Sequence, residues 1–244
     1  MADAAAAAGI LSGDLGNILN LLSAAAGLGT AAMGLVDATK AFAGGPSNFG
    51  FRYIKTAVAP FIVRPPGAAS AFGDAEVLQT LRALWLNGVA KAEQKAKAKA
   101  LIHLGLARGN AAALAAASGV DAATLASLAE KTAAGTPASA DEINALGQFD
   151  AVVSAVLDAA YERADQQYRN ASKVLATAVA TVLGAVGGWL VYGSPSGSVW
   201  GYFVSWHFAL ALVVGLSAAP LAPLAKDLAT SLQAAATAVR ATRR

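Results

Sequence analysis

Lysine and arginine are distributed in a way that leaves few folds open to this chain. All 18 lie within positions 40–173 or 226–244, so residues 1–39 and 174–225 contain none, and 174–225 lacks aspartate and glutamate as well. Soluble domains carry roughly 25% charged residues, whereas this chain carries 14% and is 56% hydrophobic. Alanine, the best helix former, supplies much of that apolar content. Composition alone therefore also describes a soluble alanine-rich bundle, and the two uncharged gaps decide for a membrane protein.

Val174–Tyr192 is an uncharged run of 19 residues, about 28 Å as a helix, which matches the hydrocarbon thickness of a bilayer. After a polar turn at Gly193–Ser198, a second uncharged run, Val199–Ala225, is long enough to return before Pro220 and Pro223 disturb it. Neither run has the polar stripe of a soluble surface helix. Together they predict a transmembrane hairpin over 174–225. Trp189, Tyr192, Trp200, Tyr202 and Trp206 cluster near the turn, as interfacial anchors do. Arg163, Arg169 and Lys173 precede the hairpin, and Lys226, Arg240, Arg243 and Arg244 follow it. The positive-inside rule then places the turn outside and both flanks, including a basic tail at 226–244, in the cytoplasm.

Residues 1–39 form an N-terminal membrane segment with a further candidate span at Leu15–Val36. Its asparagines and glycines suit packing against protein or an interfacial position, and Asp3 and Asp14 outside with Lys40, Arg52 and Lys55 inside obey the same rule. The start, with no basic n-region and no glycine at position 2, predicts neither a secretory signal nor myristoylation. The chain has no cysteine, so disulfides, thiol chemistry and a lipoprotein anchor are excluded.

Residues 40–73 read as a Gly/Pro-rich connector. Gly44, Gly45, Pro46, Pro60, Pro65 and Pro66 should interrupt regular helix, while 49–54 and Val58–Val63 are apolar enough to hug a membrane or partner. Residues 74–173 read as a cytoplasmic helical region. Asp74 is the expected cap of a helix with Val77, Leu81, Leu84, Trp85, Gly88 and Ala92 on one face. Lys91, Lys95 and Lys99 share one stripe, a solvated face or a contact for anionic lipid headgroups. A net charge of +3 and the lack of interleaved aromatics argue against nucleic acid. Gly109 and Asn110 are expected to end this helix, Ala111–Ala117 to form the next, and Asp121 to open Ala122–Thr132.

A long helix is expected from Asp141 directly through Tyr192, about 78 Å in all, joining a cytoplasmic bundle to the membrane. Its apolar stripe is Leu146, Phe149, Val153, Val156, Ala160 and Ala164, and its polar stripe Asp150, Ser154, Asp158, Glu162, Asp165 and Arg169. The helices at Val77–Ala92 and Ala111–Thr132 should cover only part of the apolar stripe, which predicts assembly. Phe149-Asp150, Asp158, Tyr161, Glu162-Arg163 and Tyr168-Arg169, followed by a hairpin, resemble uncharacterised bacterial inner-membrane proteins in which a long amphipathic helix leads into the last two spans. That resemblance covers residues 141–244 and implies no reaction or ligand.

Reactive constellations are sparse. Asp158, Glu162 and Asp165 share a face that could join His103 around a metal, but no second Asp/Glu-x-x-His motif completes such a site, and a solvated acidic face partly paired with Arg163 and Arg169 is the expectation. His207, just inside the outer interface, is a candidate because ionisable groups are costly there; no further acid or base in the two runs extends it into a proton path. Gly193–Gly197 lacks the central serine of a nucleophile elbow, Gly44–Ser47 lacks the rest of a phosphate loop, and the sequon at Asn170 falls on the cytoplasmic side. Gly184 and Gly188 give a small-residue face for close helix packing, either on Ala211 and Gly215 or between copies. The expectation is an all-α membrane protein without catalytic, cofactor or metal site, a scaffold or subunit of a membrane assembly. A pore built through Gly184, Gly188 and His207 is the alternative, and a membrane enzyme the third reading.

Overall fold

The uncharged gaps and the charged middle of the chain fall into two compact units. The computed structural model describes residues 23–42, 44–62, 73–193 and 199–242, and among them every regular element is helical. Two units divide the chain, Pro46–Arg169 and the combination of Met1–Gly45 with Asn170–Arg244. The beginning of the 15–36 segment, the Pro65-Pro66 stretch, the turn at 194–198 and the last two arginines lie outside the described residues.

In the 46–169 unit, α2 (Ser47–Ile62) occupies the region expected to be a connector. Gly44 and Gly45 adopt positive φ before it, and Pro46 only accepts the first bond, from the Phe49 N–H at 3.1 Å. Pro60 falls in the last turn, where its missing N–H deprives the Thr56 carbonyl of its i+4 donor but only Phe61 and Ile62 follow in the helix. Phe51, Ile54, Val58, Phe61 and Ile62 return every three or four residues to one buried face, so these apolar residues build a core.

Helix α3 (Asp74–Leu86) is capped by Gly73, whose N–H donates to Glu76 Oε2 at 2.6 Å; Asp74, expected as the cap, is the first helical residue. Val77 and Leu81 are buried, and Trp85 Nε1 donates to the Ser47 carbonyl at 2.9 Å. Helix α4 (Lys91–Leu104) stops at Gly105, ahead of the expected Gly109, and a 3-10 turn covers Arg108–Asn110. Helices α5 (Ala111–Ser118) and α6 (Ala122–Ala134) follow with glycines 119 and 135 in the left-handed region just past their ends. Asp121 caps α6 by accepting from the Thr124 N–H and hydroxyl, each at 2.8 Å.

Helix α7 runs unbroken from Ala140 to Tyr192 and contributes to both units. Its inward residues in the bundle are Ala145, Phe149, Val153, Leu157, Ala160, Tyr161 and Ala164, while Leu146 and Val156 are half-buried. Steps of four over-rotate a 3.6-residue helix by about 40°, and the steps of three at 157–160 and 161–164 bring the face back. The stripe is covered by the chain's own helices. Phe61 packs edge-on against Phe149 with centroids 6.2 Å apart, and Gly50 lets α2 approach so closely that a Cβ there would lie 2.5 Å from the Ala164 carbonyl oxygen. The partial cover expected from the sequence omitted α2, and with it goes the argument that this stripe requires a second chain.

In the other unit, α1 (residues 23–38) packs beside α7 and α9 through small residues. Ala32 meets Ala180 and Ala218, and Val36 meets Ala176 and Ala219. The second uncharged run is two helices, α8 (Val199–Phe203) and α9 (Trp206–Thr242). Ser205 separates them, its hydroxyl bonding the Tyr202 carbonyl at 2.7 Å and accepting from the Phe208 N–H at 3.3 Å, as an N-cap does. Pro220 and Pro223 sit inside α9, which continues through them. Helix α7 and Trp206–Pro223 of α9 hold windows long and apolar enough to cross a membrane. Only 11% and 17% of those windows are buried within the protein, far from the packing of a soluble core helix.

Candidate functional site

Two constellations stand out, one in each unit. In the bundle, the four-residue repeat of α4 meets the polar stripe of α7 in reverse order, as antiparallel neighbours do. Lys91 Nζ lies 3.1 Å from Glu162 Oε1 and 3.0 Å from Asp165 Oδ2. Lys95 reaches Asp158 at 2.5 Å, Lys99 reaches Asp150 at 2.9 Å, and His103 Nε2 approaches the other Asp150 oxygen at 2.5 Å. The three lysines expected at lipid headgroups thus have carboxylate partners. So does Arg169, which bonds Asp165 at 3.1 Å, whereas no such bond joins Arg163 to the stripe among the described contacts.

The electrostatics follow the geometry. Burial pushes the Asp165 carboxyl up, but Arg169 and Lys91 outweigh it and the net direction is down. Burial likewise opposes, and Lys99 with His103 overcomes, in lowering Asp150. Hydrogen bonds to Asp165 and then Glu162 raise Lys91 above the ordinary lysine value. These side chains remain partly exposed, so each rung contributes roughly 0.2–1 kcal/mol and weakens with salt.

A second polar knot ties α6 to the start of α7. Glu142 accepts from Lys131 Nζ at 2.8 Å, Ser127 Oγ at 2.7 Å and the Ser139 N–H at 2.6 Å, and its own N–H donates back to Ser139 Oγ at 3.3 Å. Hydrogen bonding from Lys131, then Ser127 and Ser139, holds its carboxyl down at about 2. The Ser-x-x-Glu spacing is the sequence signal for this capping box. Tyr161 is fully buried, its hydroxyl lacks a hydrogen-bond partner among the described residues, and burial pushes the phenol up to about 12. No three His, Cys, Asp or Glu side chains gather around a common point among the described residues.

In the 170–244 unit, the glycines expected to mediate packing do so within the chain. A Cβ on Gly184 would sit 3.0 Å from the Ala211 carbonyl oxygen, and one on Gly215 would sit 2.5 Å from Thr181 Cα. Gly188 makes room for the Tyr202 hydroxyl, which donates to the Ala185 carbonyl at 2.8 Å. Tyr202, expected as an interfacial anchor, is therefore buried against α7. Trp200 and Trp206 are 77% and 76% exposed, and Trp189 and Tyr192 are exposed as well. His207 stacks on Tyr192 with centroids 4.4 Å apart. Between α7 and α8 lies an open apolar groove of about 230 Å³, lined by Ala185, Val186, Trp189, Val199, Tyr202 and Phe203. No protein-family model, curated protein or solved structure matches this chain.

Proposed function

We propose that the chain is a non-enzymatic, membrane-anchored helical subunit or scaffold of the bacterial inner membrane, with the 46–169 bundle and the C-terminus in the cytoplasm. The observation that carries the reading is the outward apolar surface of α7 and α9, where Val182, Leu190, Val191, Val213 and Leu216 are exposed, as are Trp189, Trp200 and Trp206. So large an exposed apolar surface is at home in lipid. The bundle's acids and bases support a structural role, because Lys91, Lys95, Lys99, Asp150, Asp158, Glu162 and Asp165 are committed to one another. Homo-oligomers or other membrane-complex subunits are the partners proposed. Their contacts fall on outer faces, since Gly184, Gly188 and the α7 stripe are occupied internally.

The test uses the absence of native cysteine. Single cysteines at Ser139 and Ser196 are labelled in intact cells with an impermeant thiol reagent. Reaction from the outside at position 196 alone is expected; equal labelling of both sinks the hairpin topology. Native mass spectrometry in detergent tests assembly, and a clean monomer without a co-purifying partner removes the scaffold reading.

A further inference from the structure

On the membrane-anchored reading above, the lysines of α4 have a second class of anionic partner besides the α7 carboxylates, the headgroups of the bilayer. Buried apolar contact holds the end of α4, where Leu101 and Ile102 enter the core, whereas its first two turns turn inward only Gln94 and Ala98. Those first turns are fastened to α7 by Lys91 on Glu162 and Asp165 and by Lys95 on Asp158, with Asp158 and Glu162 more than half exposed. They start from Gly88, a left-handed turn with open space around it.

We infer that the start of α4 is a charge-gated contact, in which Lys91 and Lys95 exchange the α7 carboxylates for the headgroups of an anionic lipid surface, while Lys99 stays on Asp150. A lysine gains about as much from such a surface as from an exposed ion pair, so neither partner dominates. The same field draws the lysine stripe in and repels Asp158, Glu162 and Asp165, so it acts on both sides of the ladder in the sense that separates them. Leu101 and Ile102 keep the far end of α4 in place.

Spin labels on cysteines at Ala92 and Ala159 report the start of the ladder, and a pair at Ala100 and Ala151 reports its end. The full chain is placed in nanodiscs of phosphatidylcholine alone or mixed with phosphatidylserine, and distances are read by pulsed electron resonance. Anionic lipid is expected to raise the population of a longer 92–159 distance several-fold while leaving 100–151 unchanged. The K91Q/K95Q variant should show the longer distance in both lipids. An unchanged 92–159 distribution in protein that has entered the discs overturns the inference, as does a variant that stays closed in both. Failure to enter discs of either composition sinks the membrane reading itself, and the inference with it.

Discussion

Glycines at single positions test the packing of the 170–244 unit most sharply. A methyl at Gly215 meets only backbone, with Thr181 Cα at 2.5 Å and the Ala180 oxygen at 3.0 Å, so two helices must part to admit it. Gly215→Ala is expected to destabilise by about 1–3 kcal/mol despite better helix propensity. Gly187, where an added methyl would have nothing within 4 Å, is the control. Gly187→Ala should stabilise by about 0.5–1 kcal/mol, both read by thermal unfolding in detergent. In the bundle, Tyr161→Phe removes a buried hydroxyl without a partner and should be neutral or stabilising by about 1 kcal/mol in urea titrations. Glu142 gives a pH signature. Its carboxyl, at about 2 in the folded state against an ordinary 4.5, stabilises fully above pH 4.5, and that contribution is lost as pH falls toward 2. The Tm difference between the wild type and Glu142→Gln should therefore shrink across that window.

Among the elements, those with strong local signals were readable in advance. Asp121 and the glycines at 119 and 135 frame α5 and α6 within two residues of expectation, because capping is a local interaction. Helix α2 was hidden by its flanking prolines and glycines, although the 51, 54, 58, 61 spacing was present. Pro60 ends this helix rather than breaking it, since only Phe61 and Ile62 follow it in α2. The division of 199–225 into α8 and α9 depends on Ser205, an ordinary residue in an uncharged run until its hydroxyl is seen to cap. The ladder was half legible: both stripes were visible, but their pairing requires knowing that α4 packs antiparallel on α7. Ser205→Ala should cost about 0.5–2 kcal/mol and loosen the first turn of α9, measurable as faster amide exchange at Trp206–Ala209.

On the scale of the whole molecule, hydropathy spoke earlier and more clearly than chemistry. The charge-free gaps located α7's outer half and α9, and the exposed windows of both helices agree with lipid as their surroundings. The assembly argument failed because it counted the helices able to cover α7 without α2. Distinct cooperative units are expected to respond differently to denaturant. In detergent, urea should unfold Pro46–Arg169 in a transition that leaves amides of α7 beyond Asn170 and of α9 protected; a single coincident loss of protection in both units would contradict this.

The unbroken course of α7 also sets an order of events during synthesis. Helices α2 to α6 leave the ribosome first, yet Phe149, Val153, Leu157 and Tyr161 are the residues that close their core. The last of that buried face, Ala164, precedes the uncharged run at Val174 by ten residues, about 0.5–2 s of elongation. On the membrane-anchored proposal, the growing chain gains its final core residue at nearly the moment the apolar run at Val174 becomes available to the insertion machinery, so chaperone protection of the waiting helices and delivery of the C-terminal hairpin to the bilayer fall within the same brief interval.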